Sequence, residues 1–264
     1  MSENSAALNY IDYLAIDELL ELQRPLSEGP EHDEMLFIII HQVYELWFKQ
    51  LLHEIDAVQR TLASGDGNAV YAKLNRIKMI LSVCLRQIDV LVTMTPLEFH
   101  AFRDRLSTAS GFQSAQFREF EAVMGRRDQG FAQHLLPRNR AAVEHRLQEP
   151  SLWDSVLHFI NASGYPIPEH VLHRDVSQPY EADPQVRETL LQLHHDRHPV
   201  AVLCEQLIDI EVNLKEWRYR HVMMVERTIG TKAGTGGSSG AGYLNATLAY
   251  PRSFPELWEI RADL

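Results

Sequence analysis

Two apolar stripes constrain this chain more than any other feature. Phe37, His41, Tyr44, Phe48, Leu51, Ile55, Val58 and Leu62 recur in alternating steps of four and three residues. Leu203, Leu207, Ile210, Leu214, Trp217, His221 and Met224 do the same. Such steps track the helical repeat of about 3.6 residues per turn, so each stripe runs down one face of a long helix. The first helix is expected from about Asp33 to Ala63, ended by SGDG at 64–67. The second opens at Pro199 and closes at Gly230,. Two helices of this length, each with one buried face, must pack on further helices.

The rest of the chain supplies them. Leu74, Ile77, Leu81, Cys84, Ile88 and Leu91 mark a helix from about Val70 to Met94,. In TPLE (95–98), Thr95 can cap, Pro96 suits the first helical turn and Glu98 completes a capping box, predicting a short helix to about Leu106,. After STASGFQS (107–114) another helix is predicted to about Met124. Shorter ones are predicted over Asn139–Gln148 and Ser151–Ala162, with loops at SGYPIP (163–168) and HRDVSQPYEADP (173–184). Few alternating or β-branched runs occur. The fold class is therefore all-α: a helical bundle in one domain, 1–264, with a small helical appendage.

Composition narrows the function. The net charge of −11 opposes a nucleic-acid partner,. The two cysteines, Cys84 and Cys204, are far apart, which fits a reducing cytoplasm better than a disulfide framework,. MSENSAALNY lacks the basic and apolar regions of a secretory leader, and MLFIII (35–40) is too short to span a bilayer, so no membrane association is expected,.

His41 and His221 occupy core positions in otherwise apolar stripes. A buried histidine can simply bond a backbone carbonyl. Two of them on the two best-formed helices also suit an axial ligand for haem iron with a distal partner, or half of a metal site. HExxH and CxxCH are absent, and HQVYE and HHDRH lack the Glu-rich pattern of a di-iron bundle,. EHDE (31–34) reads as helix capping, and LHHDRH (193–198) as solvated surface. KAGTGGSSGAG (232–242) matches neither phosphate-binding glycine motif; a loop of that composition can instead close over a ligand. Arg103 lies four residues after Phe99, where an arginine among aromatics suits a carboxylate clamp.

FIIIHQVYELWFKQLLHE (37–54), the run from TPLEFHAFRD to SGFQSAQFRE (95–119) and WRYRHVMMVERTIGTKAGTGGSSG (217–240) together resemble the tryptophan 2,3-dioxygenase family. The likeness runs from LNYIDYL (8–14) to FPELW (254–258). It implies an all-α bundle enclosing a haem b, one per subunit, in a cytoplasmic homotetramer. Such an enzyme adds O2 across the indole C2–C3 bond of L-tryptophan to give N-formyl-L-kynurenine. His221 is the implied iron ligand and His41 the catalytic distal histidine, hydrogen-bonded to the indole N–H. Phe37, Ile38, Ile39 and Ile40 precede it along the substrate wall. Arg103 takes the substrate carboxylate, Thr235 its amino-acid end, and Phe99 lies beside Arg103. Ser110 faces the haem edge. Tyr10, Tyr13 and Leu14 belong to an N-terminal segment, residues 1–20, that reaches a neighbouring subunit's site. Residues 231–243 form a lid. Phe99 stands where some members have tyrosine, which leaves more of the carboxylate to Arg103, and Ile88 where some have tryptophan. A haem-based sensor or carrier would need His221 but neither Arg103 nor Thr235; a relative acting on a modified indole would differ in its product.

Overall fold

The computed structural model describes residues 8–29, 31–235 and 239–264, apart from the side chains of Phe131 and His134. Every regular element among them is helical. Two short helices, α1 (Tyr10–Leu14) and α2 (Ile16–Leu20), precede the first striped helix, α3 (His32–Ala63). Then come α4 (Val70–Leu91), α5 (Pro96–Arg103), α6 (Ala115–Val123), α7 (Pro137–Arg146), α8 (Leu152–Ala162), α9 (Glu169–Leu172) and α10 (Pro184–His195). The second striped helix is α11 (Pro199–Ile229), followed by α12 (Ala241–Leu248) and α13 (Pro255–Glu259).

α4 is the common neighbour of both striped helices. Polar cross-links fix the register. The Tyr44 hydroxyl donates to the Cys84 carbonyl at 2.8 Å, and Arg76 pairs with Glu54 at 2.8 Å, so α3 runs antiparallel to α4. Lys78 meets Asp209 at 3.2 Å and Arg220 pairs with Asp89, so α11 runs parallel to it. In the core shared by the three helices lie Leu51, Ile55 and Val58 from α3, Leu74 and Ile77 from α4, and Leu203, Leu207 and Ile210 from α11, all essentially inaccessible. Each such side chain stabilises the fold by about 1.5–3 kcal/mol relative to exposure. The same register brings His41 and His221 to one height, opposite the last turns of α4. α6 and α8 cover α3, α12 and α13 flank α11, and α5 sits at the end nearest the two histidines.

The capping box forms as read: Thr95 Oγ1 accepts from Glu98 N at 3.3 Å, and Glu98 accepts from Thr95 N at 2.7 Å. α4 stops at Leu91 rather than Met94, where Thr93 turns its hydroxyl back to the Val90 carbonyl at 2.7 Å. α5 gives way after Arg103 to a tight 3₁₀ turn, Asp104–Leu106. α10 has no counterpart in the sequence reading, because only Val186, Leu190 and Leu193 mark its buried face. Its start was signalled by Asp183, whose carboxylate caps Gln185 N and Val186 N ahead of Pro184. EHDE does not cap through a side chain among the described residues. Glu31 makes no side-chain cap, whereas Glu34 is buried and accepts from Leu26 N and Ser27 N at 2.7 and 3.1 Å. In LHHDRH, His194 is not solvated: Nδ1 bonds the Leu190 carbonyl at 2.7 Å and Nε2 lies 3.3 Å from Glu205.

Glu256 on α13 is the most enclosed acid, 0% exposed. Its Oε1 accepts from the Tyr180 hydroxyl and from Asp183 N, while Oε2 has no partner. Burial pushes its pKa above the usual carboxylate range, against the opposing pull of those two donors,. A carboxyl raised on folding favours the folded state most at low pH. That contribution is lost as pH rises from the unfolded value, about 4.3, through the folded one. Glu256→Gln imitates the protonated acid, so its melting temperature should gain on the parent's between pH 4.5 and pH 8; parallel melting curves at both pH values would contradict the assignment.

Candidate active site

His41 and His221 project from α3 and α11 into one cleft. His41 Nδ1 lies 2.7 Å from the Phe37 carbonyl one turn back, and a carbonyl can only accept, so Nδ1 carries the hydrogen and Nε2 keeps its lone pair,. Burial lowers the His41 pKa, against the Phe37 bond and the nearby Glu45 carboxylate, which both raise it. His221 is pushed down to about 4 by burial, with His41 and Arg218 adding to the effect. Both rings still have accessible surface. They are therefore hemmed in by protein and yet reachable, as in a deep cleft, and both stay neutral near pH 7. Neither His221 nitrogen makes a hydrogen bond within the described residues.

Aromatic rings line the cleft. Phe37 packs on His41 with centroids 4.1 Å apart, and Trp217 stacks on His221 at 5.3 Å and 22°. Trp217 also meets Tyr44 at 6.1 Å and Phe48 at 6.4 Å, filling the space between α3 and α11 below the histidines. Phe99 lies 5.9 Å from Phe37. A helix turns by about 100° per residue, so the four residues before His41 cannot share a face. Phe37 lies with His41, Ile40 is buried in the core, Ile38 is half-buried and Ile39 is exposed.

The segment after α11 docks on α5 and the turn beyond it. Arg103 Nη2 donates to the Ala233 carbonyl, Lys232 Nζ lies 3.1 Å from His100 Nε2, and Thr235 Oγ1 donates to the Ala109 carbonyl at 2.6 Å. Ser110, next to Ala109, accepts from Phe112 N at 3.4 Å. Gly236, Gly237 and Ser238 lie outside the described residues. Gly240 seals the base of the loop. Its φ is +59°, and a Cβ there would lie 2.7 Å from the Lys232 carbonyl. Tyr10 and Tyr13 are 72% and 71% exposed, and Leu14 is exposed beside them; the structure of the single chain does not bring them to the cleft.

Sequence reading missed one charged group beside the site. Glu121 of α6 is 2% exposed and binds both Arg118 and Arg218, the latter at 2.6 Å and one turn before His221. Within REFEAV only the Arg118–Glu121 spacing is local; the second partner, Arg218, lies on a distant helix and leaves no signal there. Two surface hollows, about 550 and 360 Å³, lie elsewhere, beside Asp89–Arg220 and beside Glu45–Arg138; neither touches the two histidines. Among the described residues no three His, Cys, Asp or Glu converge as a metal site. That donor set suits a group needing one imidazole from the protein and apolar walls for the rest. Haem meets that description.

A family model described as tryptophan 2,3-dioxygenase matches residues 1–148 and 197–264. The chain belongs to the tryptophan 2,3-dioxygenase family. A tryptophan 2,3-dioxygenase of Herpetosiphon aurantiacus is 53% identical over 262 residues, covering 98% of this chain and 100% of that one. One from Anaeromyxobacter dehalogenans is 49% identical, covering 100% and 98%. One from Caulobacter vibrioides is 43% identical, covering 97% and 98%. The chain is thus a dioxygenase that adds both atoms of O2 across the indole C2–C3 bond of L-tryptophan, giving N-formyl-L-kynurenine. The family implies a haem cofactor. No helix among the described residues is long and apolar enough to cross a membrane.

Gly240→Ala tests the loop. It adds about 1–3 kcal/mol of local backbone strain and drives a methyl into the Lys232 carbonyl. The dioxygenase should keep its melting temperature within a few degrees and show a raised KM for tryptophan, measured by N-formylkynurenine absorbance. An unaltered KM would separate the loop from substrate binding.

Proposed function

We propose that the cleft between α3 and α11 takes one haem b per chain, that His221 would hold its iron, and that L-tryptophan lies on the His41 side. The carrying observation is a pair of neutral imidazoles at one height. His221 makes no hydrogen bond within the described residues, and the neutral tautomer of His41 presents Nε2 as an acceptor. When bound, haem supplies the redox and oxygen chemistry; the chain binds, orients and excludes water.

His41 Nε2 accepts the indole N–H and so sets the ring's orientation. An indole N–H is a very weak acid, so removing its proton is not required of His41. Phe37 and Phe99 supply an aromatic wall; Ile38, Ile39 and Ile40 lie on other faces of α3 and are not part of it. Arg103 takes the substrate carboxylate, which competes with the Ala233 carbonyl for the same guanidinium,. Phe99 offers no hydroxyl to share that task. Thr235 holds the amino-acid end, Ser110 faces the haem edge, and the loop 231–243 closes over both. The N-terminal segment, residues 1–20, reaches the site of a neighbouring subunit through Tyr10, Tyr13 and Leu14, whose exposure on the single chain supports this. The assembly is a homotetramer, and its place is the cytoplasm.

His221→Ala should abolish stoichiometric haem binding, read as loss of the Soret band; an unchanged spectrum would remove His221 from the ligand role. His41→Ala should keep the band and lower activity without eliminating it. Complete loss of activity with intact haem would make His41 an obligatory acid or base instead.

Arg103→Leu should raise KM for tryptophan by roughly 10- to 100-fold, since a charge-assisted hydrogen bond contributes about 1.5–3 kcal/mol and one decade is about 1.4 kcal/mol. It should also narrow the preference for tryptophan over tryptamine, which lacks the carboxylate. A variant that discriminates as strongly as the parent would place the carboxylate elsewhere.

A further inference from the structure

Residues 8–20 can serve a neighbouring site only if something aims them. We infer that Glu34 and Gln42 are positioning residues that clamp residues 22–27 along α3 and so point α1 and α2 at the tryptophan site of a second copy of this chain; this rests on the crossing of residues 1–20 proposed above.

The clamp has two points. At one, both Glu34 carboxylate oxygens are used, Oε1 by Leu26 N at 2.7 Å and Oε2 by Ser27 N at 3.1 Å, and the side chain is 2% exposed. At the other, Gln42 Nε2 donates to the Leu22 carbonyl at 3.1 Å, and Gln42 Oε1 accepts from Gln23 Nε2 at 2.6 Å. Gln23 reaches on to the Leu19 carbonyl at 3.1 Å, tying the second point to α2 itself. Eight residues of helix separate Glu34 from Gln42, about 12 Å. One attachment would fix a position; two fix a direction.

What is aimed is apolar and uncovered. α1 and α2 bury no residue against their own chain. Leu8, Tyr10, Ile11, Tyr13, Leu14 and Leu20 are all exposed. Gln42 lies one residue along α3 from His41, so the clamped stretch passes within a turn of the cleft whose histidine is open on the single chain. A second copy presents the same open cleft, so each copy can complete the other. The clamp shortens the free tether from the start of α3 to Leu22. A shorter, directed tether raises the effective concentration of the segment at the neighbouring site without any contact there.

The test uses the haem-loaded full chain. Gln42→Ala and Glu34→Ala should each raise KM for L-tryptophan about three- to tenfold, the size expected for a net hydrogen bond or two. kcat and Soret absorbance per chain should stay unchanged. In a chain lacking residues 1–14, the same substitutions should move KM by less than about twofold, because sites that act through one element do not add. Gln42, on a part-exposed helix face, keeps the test decisive if Glu34→Ala does not fold. Equal KM shifts in the full and shortened chains would overturn the assignment, since the residues would then act on their own site. An unchanged KM in the substituted full chain, with a raised KM on shortening alone, would overturn the clamp and leave the crossing of residues 1–20 standing. If shortening alone leaves KM unchanged, the crossing falls and the clamp with it.

Discussion

The packing of one helix against two sets everything else. α4 lies along both α3 and α11, and its cross-links to Glu54, Tyr44, Asp209 and Arg220 hold the three in a single register. Slippage by one turn, about 5.4 Å, would bury one histidine under the other's floor. Trp217 sets that floor. Its ring spans from Tyr44 and Phe48 to His221, so the space between the helices is filled with aromatic carbon up to one level, above which both histidines keep accessible surface. The cleft is where this filling stops.

Electrostatics then decides what the cleft can receive. Enclosure removes the solvent that would stabilise an imidazolium, and Arg218 adds a like charge near His221,. A neutral nitrogen with a free lone pair can bind a metal centre; a protonated one cannot. At His41 a single backbone carbonyl chooses the tautomer. The two rings are chemically identical in sequence. They differ in the structure because one has its Nδ1 hydrogen bonded one turn back and the other has no such partner among the described residues.

The long helices, the capping box at Thr95 and both histidines were legible because each is written within one stretch of chain. Periodicity reports which stripe turns inward, and His41 and His221 stood out by lying on it, although in the structure both keep accessible surface where the stripes reach the cleft. α10 was not legible: four aliphatic positions in twelve residues, three of them buried, are too few to fix a period, and only Asp183-Pro184 marked its start. Glu34 was read as a cap because acids favour helix starts. Its contacts to Leu26 and Ser27 depend on the preceding strand folding back, which no local pattern encodes. The Ala233 carbonyl on Arg103 was invisible for the same reason: main-chain partners leave no trace in side-chain identity.

The buried cluster of Arg118, Glu121 and Arg218 carries a further consequence. Removing one member of such a set is costly because it strands a charge away from water, whereas replacing all members together with apolar groups can be nearly neutral. Positions 118, 121 and 218 therefore face a barrier to stepwise divergence. Across descendants of this chain they should persist or disappear as a unit. Because α6 and α11 contribute separately, that history would leave a covariation between two segments about a hundred residues apart, recording an ion cluster that neither segment reveals alone.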